Sequence, residues 1–465
     1  MDTKGIDFKK PSSVYFMGIG GISMSGLAEI LHQAGFTVSG SDMQENASVK
    51  KLKEMGIHVN IGQVASNIKP GIDHVVYTAA IHPDNEEFVA AKEAGIPLMT
   101  RAELLGQLMD QYKYSIAVAG THGKTTTTSM LTHILLQASV DPTISIGGML
   151  DAIQGNIRVG KSDYFVTEAC EYTNSYHAFK PFASIILNID NDHLDFFKNL
   201  DNIVESFATF ATKTREGGVV IVNGDMPYLD IIREHISGMN INMITFGTGE
   251  SNDYRATDIK LNALGQPTYT LIRHGETVGE ITLSVTGEHN AVNSLSAIAA
   301  SEYVGIGFDA IKEGLRLCHS ADRRFQYKGT LDGNVKIVDD YAHHPTEIAA
   351  SLAVANSVKE GDLWVAFQPH TYSRTKALLP DFANALSSAD HVLLADIYAA
   401  REPFDETISS KNIADLLNEK GCDAVYLGSF EAIEKYFSEN HKNDDMLITM
   451  GAGNIDSVGT NLLSK

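Results

Sequence analysis

Cysteine is scarce in this chain, and no apolar stretch is long. The three cysteines stand far apart, with no closely spaced pair, which argues against a disulfide framework and against a cysteine-type structural zinc site. No apolar run has the length needed to cross a bilayer, and the first residues, MDTKGIDFKKPSSV, lack the apolar segment of a secretion signal. We therefore expect a cytoplasmic protein with no membrane partner.

Positive charge is also in short supply. Acidic residues outnumber Lys and Arg by 58 to 36, so the formal net charge is −22. A chain with this charge repels a polyanion such as DNA, and we expect no nucleic-acid partner. Phosphate groups would have to be bound locally, mostly by backbone N–H groups. The 43% hydrophobic content is that of a globular protein, and 465 residues predict more than one domain.

Apolar strands alternate with amphipathic helices in three successive series, which we assign to residues 1–112, 113–327 and 328–465. Such alternation predicts mainly parallel sheets. Short alternating segments at 253–285 predict antiparallel hairpins within the middle series. The expected fold class is therefore α/β in three domains, with an antiparallel insertion in the central one.

The first strand runs into GIGGIS, residues 18–23, in the manner of a dinucleotide-binding turn. Gly18 and Gly20 permit a tight turn and close approach to a phosphate, and Asp42 ends the next strand, where an acid can take ribose hydroxyls. Ser23 stands at the third glycine position of that motif. A turn without a ligand and a dehydrogenase site are both alternatives for this segment alone.

A second glycine loop, GTHGKT at residues 120–125, joins a strand to a helix as a P-loop does. Its backbone N–H groups would surround a triphosphate, Lys124 would neutralise the β- and γ-oxygens, and Thr125 would hold Mg²⁺. The loop is two residues shorter than the usual GxxxxGK[ST]. Because both the strand and the helix are present, we interpret it as an ATP site rather than a chance sequence.

Acids and a histidine follow the next predicted strands of the same sheet. Glu168 and Glu171 lie in EACE, and Asp192 and His193 lie in NIDNDH. The carboxyl ends of parallel strands meet at one edge of a sheet, so these groups could hold Mg²⁺ against ATP. Taken singly, each could equally be a helix cap or a surface group.

Four later segments contain polar residues in suitable places. Asn290 in GEHNAVN could bind a base or cap a helix. Arg324 lies in SADRRFQ at the second domain boundary, and VDDYAHHPTEI places acids, an aromatic and two histidines between a strand and a helix. Arg374 in FQPHTYSRT carries a planar fork that suits a small carboxylate, although an ordinary loop is the alternative.

In this order, the motifs resemble those of the Mur ligases, the ATP-dependent amide ligases of peptidoglycan synthesis. GTHGKT is typical of that superfamily, and GIGGISMSGLA together with DDYAHHPTE is typical of its alanine-adding branch. The resemblance implies a Rossmann-like N-terminal domain for a UDP-sugar, a central P-loop ATPase domain and a Rossmann-like C-terminal domain for an amino acid. It further implies ATP and Mg²⁺, with UDP-N-acetylmuramate and L-alanine as substrates. We expect a monomer or a weak dimer.

The resemblance also assigns the site residues. Those implied for the UDP-sugar are Gly18, Ile19, Gly20, Gly21 and Asp42. Those implied for ATP are Gly120, Thr121, His122, Gly123, Lys124, Thr125, Thr126, Asn290 and Asp340. The implied metal ligands are Thr125, Glu168 and His193. The implied amino-acid pocket consists of Tyr341, His343, His370 and Arg374. The residues implied in catalysis are Lys124, His193 and Arg324.

The reaction expected of such a chain has two steps. The lactyl carboxylate attacks the γ-phosphate of ATP to give an acyl phosphate, which the amine of L-alanine then attacks. His193 or a nearby carboxylate is available as the base for that amine. Two alternatives keep the P-loop: a sister ligase that uses another amino acid or a tripeptide, and a nucleotide-regulated binding protein.

Overall fold

The computed structural model describes residues 5–78, 80–262, 264–319, 321–400 and 402–464, and of residues 194 and 195 it describes only the backbone. Three sheets of five, ten and six strands follow one another along the chain, each with helices between its strands. The predicted α/β fold class with three sheet-forming units is therefore confirmed. Within the described residues, no helix combines the length and the apolar character needed to span a membrane.

The first sheet is wholly parallel, with the strand order β3-β2-β1-β4-β5. Its elements are β1 (Ser13–Met17), α1 (Ile22–Gln33), β2 (Thr37–Asp42), α2 (Ala47–Glu54), β3 (His58–Ile61), β4 (His74–Tyr77), α3 (Glu86–Glu93), β5 (Leu98–Thr100) and α4 (Arg101–Met109). Local side chains fix several helix starts. Thr100 caps α4 and forms a capping box with Glu103, so the chain turns directly from β5 into this helix.

The second sheet has the order β15-β14-β13-β12-β11-β10-β6-β9-β7-β8. Its elements are β6 (Tyr114–Ala119), α5 (Lys124–Gln137), β7 (Thr143–Leu150), β8 (Gly155–Arg158), β9 (Tyr164–Glu168), β10 (Ala183–Ile186), α6 (Leu194–Phe197), α7 (Leu200–Ala211), β11 (Val219–Asn223), α8 (Leu229–His235), β12 (Asn242–Gly247), β13 (Tyr254–Leu261), β14 (Pro267–Arg273), β15 (Glu276–Thr282), α9 (Glu288–Tyr303) and α10 (Phe308–Arg316). Its strands from β12 to β7 are parallel. The predicted hairpins form its far edge, where β14 and β15 are antiparallel.

The third sheet has the order β16-β17-β21-β18-β19-β20, and only β16 runs antiparallel to its neighbour. Its elements are β16 (Gln326–Leu331), β17 (Val335–Asp340), α11 (Pro345–Val358), β18 (Leu363–Phe367), α12 (Tyr372–Ala377), α13 (Leu379–Leu386), β19 (His391–Ala395), α14 (Ser410–Glu419), β20 (Asp423–Gly428), α15 (Phe430–Asn440), β21 (Met446–Met450) and α16 (Asp456–Leu463). The central strands are apolar and buried on both faces, as parallel strands between helices must be.

Two glycines let helices of the first sheet pack closely against the second unit. A Cβ atom at Gly26 of α1 would lie 2.1 Å from the side chain of Ile157 on β8. A Cβ atom at Gly106 of α4 would lie 2.1 Å from the carbonyl oxygen of Ala178. Both distances are far shorter than a carbon can approach, so a larger residue at either position would force the two units apart. The glycines therefore fix how these units meet.

Replacement of Gly106 by alanine is expected to destabilise the protein. The carbonyl of Ala178 belongs to the backbone and cannot rotate away from the added methyl group. Overpacking of this kind costs about 1–3 kcal/mol and opposes the gain of about 1 kcal/mol that alanine brings to a helix. Thermal and urea unfolding would measure the difference.

Gly155→Ala is the matched control, because its nearest neighbours would lie 3.9 Å from the new carbon. A Gly106→Ala protein about 1 kcal/mol more stable than the wild type, which is the full helix gain with no packing cost, would contradict the packing described here.

Candidate active site

The glycine turn after β1 is held by the neighbouring strand. Gly18, at φ +78°, and Ile19 donate their N–H groups to the carbonyl of Ser41, each at 2.9 Å. The Gly20 N–H donates to Asp42 Oδ2 at 2.8 Å, and a Cβ atom at Gly20 would lie 2.8 Å from the same oxygen. Asp42 thus braces the turn itself. Its predicted contact with the UDP-sugar, like that of Gly21, stays a prediction.

The predicted P-loop joins β6 to α5, with Gly123 at φ +84° as the N-cap. Lys124 is the first residue of that helix. Its ammonium group donates to the carbonyls of Gly120 and Thr121 and lies 3.0 Å from Glu171 Oε2. Glu171 is only 2% exposed. Burial alone would lower the pKa of Lys124, but the Glu171 carboxylate outweighs it and raises this pKa above its usual range.

The predicted metal ligands lie around this pair. Glu168 ends β9, and its Oε1 accepts the N–H of Gly147 at 2.6 Å. His193, at φ +52°, directs Nε2 toward Glu171 Oε1, 3.8 Å away. Thr125 follows Lys124 on α5 and is buried. Glu171, which we considered as a metal ligand on sequence grounds, is instead the counter-ion that separates Lys124 from His193.

A cavity of about 490 Å³ opens beside the P-loop, between the second and third sheets. Five predicted ATP residues line it: His122, Gly123, Thr126, Asn290 and Asp340. The other four are neighbours in the same loop and helix start: Gly120, Thr121, Lys124 and Thr125. The cavity is large enough for a nucleoside, and its walls are mixed in polarity.

Asn290 and Asp340 face this cavity from different units. Asn290 does not cap α9, because Gly287 is the N-cap, and its amide instead donates to the carbonyl of Thr286 at 2.7 Å. Asp340 ends β17 and accepts a hydrogen bond from Ser351 at 2.8 Å. Burial raises the pKa of Asp340 to about 6.

His122 connects the P-loop with the C-terminal unit. Its Nε2 lies 3.1 Å from Asp190 Oδ2, and its Nδ1 lies 3.2 Å from Glu347 Oε1 on α11. Burial would lower the pKa of His122, but these two carboxylates outweigh it and raise the pKa to about 9. His122 is therefore a cation held between two acids at neutral pH.

Two further contacts lie beside this histidine. Thr346 donates from its hydroxyl to Asp190 at 2.7 Å, and His344 Nε2 lies 2.8 Å from the carbonyl of Asn191. Ligand atoms of His122, Asp190 and His344 lie within 4.8 Å of one another, as in a metal site, but hydrogen bonds between the units occupy them. The adjacent histidines have different partners, because His343 Nδ1 lies 3.0 Å from the carbonyl of Tyr341.

The two arginines of the linker have separate tasks. Arg323, at φ +62°, donates to Asp339 at 2.8 Å and to the carbonyls of Gly451 and Gly453, each at 2.7 Å. It thereby fastens the linker to the C-terminal sheet. Sequence analysis did not assign it this role.

Arg324 points the other way, toward the P-loop. Its Nη2 lies 3.5 Å from Thr125 Oγ1, and it lines the cavity. Its guanidinium carbon lies 5.3 Å from the centre of the Tyr341 ring. Arg324 thus brings a cation from the linker to the P-loop side of the cavity.

The predicted amino-acid pocket forms as one cluster. Arg374 donates to Asp192 Oδ1 from Nη2 at 2.7 Å and from Nε at 3.1 Å, and its Nη1 lies 3.1 Å from His370 Nδ1. The ring centres of His343 and His370 are 5.8 Å apart, and those of Tyr341 and His343 are 5.5 Å apart. Burial opposes ionisation of Asp192, but Arg374 and nearby histidines hold its pKa well below the usual range.

The acidic partners in this site were harder to predict from the sequence than the cations. Asp190 and Glu347 were not assigned to the site, although both lie in motifs that we singled out. Their position beside a histidine at a strand end was the available signal. Glu347 is separated from His122 by 225 residues, and no local pattern gives that pairing.

Comparison with known proteins gives matches along almost the whole chain. Residues 13–113, 118–301 and 323–453 match families described as "Mur ligase family, catalytic domain", "Mur ligase middle domain" and "Mur ligase, glutamate ligase domain". A UDP-N-acetylmuramate–L-alanine ligase of Agathobacter rectalis is 56% identical over 460 residues, which is 99% of each chain. An enzyme of the same name from Lachnospira eligens is 53% identical and covers 98% of this chain and 99% of its own.

A solved structure agrees with these matches. The UDP-N-acetylmuramate–alanine ligase of Thermotoga maritima superimposes with a TM-score of 0.80 at 28% identity, over 97% of this chain and 98% of that one. The fold, the P-loop and the order of the motifs are therefore those that the resemblance implied. Because its relatives are similar from end to end, the chain belongs to the Mur ligase family.

Proposed function

We propose that this protein is an ATP-dependent ligase that joins L-alanine to the lactyl carboxylate of UDP-N-acetylmuramate, a step of peptidoglycan precursor synthesis. The names of the relatives at 56% and 53% identity support this substrate pair. The single observation that carries the proposal is the meeting of Lys124 with Arg324 and Arg374 at one cleft. These cations come from two units. Lys124 and Arg324 suit a triphosphate, and Arg374 suits a small carboxylate.

Each unit would hold one substrate. We assign the UDP-sugar to residues 1–112, ATP to residues 113–327 and L-alanine to residues 328–465. The glycine turn at residues 18–21 would bind the diphosphate, and the cavity beside Asn290 and Asp340 would take the nucleoside of ATP. The pocket around Arg374 would take the carboxylate of L-alanine.

The residues near Lys124 fit Mg²⁺. Thr125 and Glu168 supply hard oxygen atoms, the ligand type that Mg²⁺ prefers. Glu168 uses Oε1 for the N–H of Gly147, and no hydrogen bond of Oε2 is found among the described residues. His193 Nε2 lies 3.8 Å from Glu171 and 3.7 Å from Asp192, both beyond hydrogen-bond range, so its nitrogen is available. Bound there, Mg²⁺ would neutralise phosphate charge.

In the first step the lactyl carboxylate attacks the γ-phosphorus of ATP, the bond to the β-bridging oxygen breaks, and ADP leaves. Both reactants are anions and repel each other, so the site must neutralise their charge as well as position them. Lys124 would neutralise the β- and γ-oxygens, and Arg324 would approach the γ-phosphate from the linker that leads into the C-terminal unit. Entry of the phosphates requires Lys124 to exchange Glu171 for a phosphate oxygen.

In the second step the amine of L-alanine attacks the acyl carbon, the amide bond forms, and inorganic phosphate leaves. The amine must lose a proton, and where His193 Nε2 holds Mg²⁺ the adjacent carboxylates are the candidates for its base. The acyl phosphate hydrolyses in water, so the site has to be covered. The contacts of His122 and Arg374 with the opposite unit would hold that covered arrangement.

Replacement of Lys124 by alanine is expected to abolish L-alanine-dependent phosphate release. Removal of one preorganised cation that faces the transferred phosphoryl group lowers kcat by about 100- to 1000-fold or more. The assay measures phosphate released from ATP with UDP-N-acetylmuramate and L-alanine present. Lys312→Ala, an exposed lysine on α10, is the matched control and should retain full activity. Near-normal turnover by Lys124→Ala would refute the P-loop assignment.

Replacement of Arg374 by alanine is expected to raise the KM for L-alanine by about 10-fold or more, because a charge-assisted fork to a carboxylate is lost. The KM for ATP should change little. Arg233→Ala, an exposed arginine paired with Asp230 on α8, is the control.

Because Arg374→Ala also leaves Asp192 without its partner, the double variant Arg374→Ala/Asp192→Asn should restore stability but not L-alanine affinity. An unchanged KM for L-alanine in both variants would place the amino acid elsewhere.

The contact between His122 and its two acids should depend on pH. Its pKa is raised from 6.5 to about 9 in the folded protein, so its contribution is complete below about pH 6.5 and is lost as pH rises through about 9. We expect the free energy of unfolding of the wild type to be roughly 1–3 kcal/mol higher than that of His122→Gln at pH 6. This difference should shrink toward pH 10. Paired thermal melts of the ligand-free proteins would measure it. A difference that stays constant with pH would contradict a charged His122.

A further inference from the structure

Arg101 lies at a point where the first glycine turn meets the second unit. It is the first residue of α4, directly after β5, and therefore lies at the carboxyl edge of the first sheet together with Gly18 and Asp42. Its Nη1 donates to Ser23 Oγ at 2.9 Å, and Ser23 is the last residue of GIGGIS. The guanidinium is thus tied to the start of α1.

Arg101 lacks an acidic partner in the described part of the chain. Its side chain is half-buried, Ser23 is the one hydrogen-bond partner found there, and no carboxylate lies within ion-pair distance. Two cations nearer the cleft do have acidic partners: Lys124 pairs with Glu171, and Arg374 pairs with Asp192. A half-buried guanidinium without an acidic partner costs free energy. That partner is missing here although the chain, with a net charge of −22, has many acidic residues.

The position of Arg101 also connects the two phosphate-binding loops. Arg101 and Lys124 both act electrostatically on Cys170, which precedes Glu171. Burial raises the pKa of this thiol, and the two cations oppose that rise. The close packing of Gly106, further along α4, against the second unit fixes the helix in this place. Arg101 therefore lies on a helix that is fixed against the unit that carries the P-loop.

We propose that Arg101 binds the diphosphate of the UDP-sugar, and that Ser23 positions its guanidinium for that contact. The inference rests on the proposed function, since it concerns how the same substrate is held. A planar fork of N–H donors matches phosphate oxygens. The N–H groups of Gly18, Ile19 and Gly20 already have acceptors in Ser41 and Asp42, so the N–H groups that face a ligand are those of the first turn of α1. That turn has no cation of its own, and Arg101 supplies one from the start of α4.

This assignment explains why serine stands at the third glycine position of the motif. A hydroxyl group at residue 23 gives the guanidinium an acceptor at 2.9 Å, which glycine could not provide. The contact holds Arg101 toward the turn when no diphosphate is present. Ser23, which replaces the third glycine of the motif, is thus a positioning residue for Arg101.

The test measures the affinity of full-length variants for three ligands: UDP, UDP-N-acetylmuramate and ATP. Arg101→Gln should raise the Kd for UDP and for UDP-N-acetylmuramate alike, by about 10- to 100-fold, and leave the Kd for ATP unchanged. Arg101→Lys keeps the charge but loses the fork, and should fall between wild type and Arg101→Gln. Ser23→Ala should weaken both uridine ligands by a smaller factor. Arg233→Gln is the matched control, because it removes an exposed positive charge on α8.

UDP carries the diphosphate without the lactyl carboxylate, so it distinguishes the two anions of the substrate. An unchanged Kd for UDP in Arg101→Gln would overturn the proposal, even if binding of UDP-N-acetylmuramate fell. A parallel loss of ATP affinity would also contradict it, because the guanidinium would then support the fold rather than the diphosphate.

Failure of the proposed function has a different signature. In that case wild type itself would release no phosphate with UDP-N-acetylmuramate and L-alanine. Wild-type turnover combined with unaltered UDP binding by Arg101→Gln would refute only the role of Arg101.

Discussion

Charge compensation around the P-loop is the constraint on which the cleft depends. The ligands proposed for it are anions, yet the chain carries a net charge of −22. The cations that bind them must therefore be individual side chains placed at the cleft. A buried cation without a partner is costly. Lys124 therefore forms an ion pair with Glu171, and Arg374 forms one with Asp192. A phosphate or carboxylate that enters the cleft competes with these acids for the same cations, so each exchange replaces one ion pair by another.

The same compensation determines how the units are joined. Arg374 and Asp192 belong to different units, as do His122 and Glu347. The cations and acids of the cleft are thus also the groups that hold the C-terminal unit against the P-loop. A substrate that replaces one of these partners acts on the contact between units as well as on its own binding. Binding and the arrangement of the units are consequently linked by electrostatics.

Local patterns were enough to predict much of this protein from its sequence. The strand–helix alternation, the strand and helix on either side of the P-loop and the hairpins at 253–285 all depend on neighbours in the chain, and each was predicted correctly. The ion pairs were not, because Arg374 and Asp192 lie 182 residues apart. The different directions of Arg323 and Arg324 also escaped prediction, since Gly451 and Gly453, which accept hydrogen bonds from Arg323, lie about 130 residues further along the chain. Roles of individual residues toward the substrates remain predictions.

The two glycine turns differ in where their cation comes from, and this difference explains why one was easier to interpret. The P-loop carries Lys124 next to its last glycine, so a short sequence contains both the N–H groups and the charge. GIGGIS contains no cation, and the guanidinium that reaches it, that of Arg101, lies 78 residues beyond Ser23. A motif of the first kind predicts a nucleotide site from a short stretch of sequence. A motif of the second kind depends on the fold to complete it, because parallel strands bring their carboxyl ends to one edge whatever their separation in the chain.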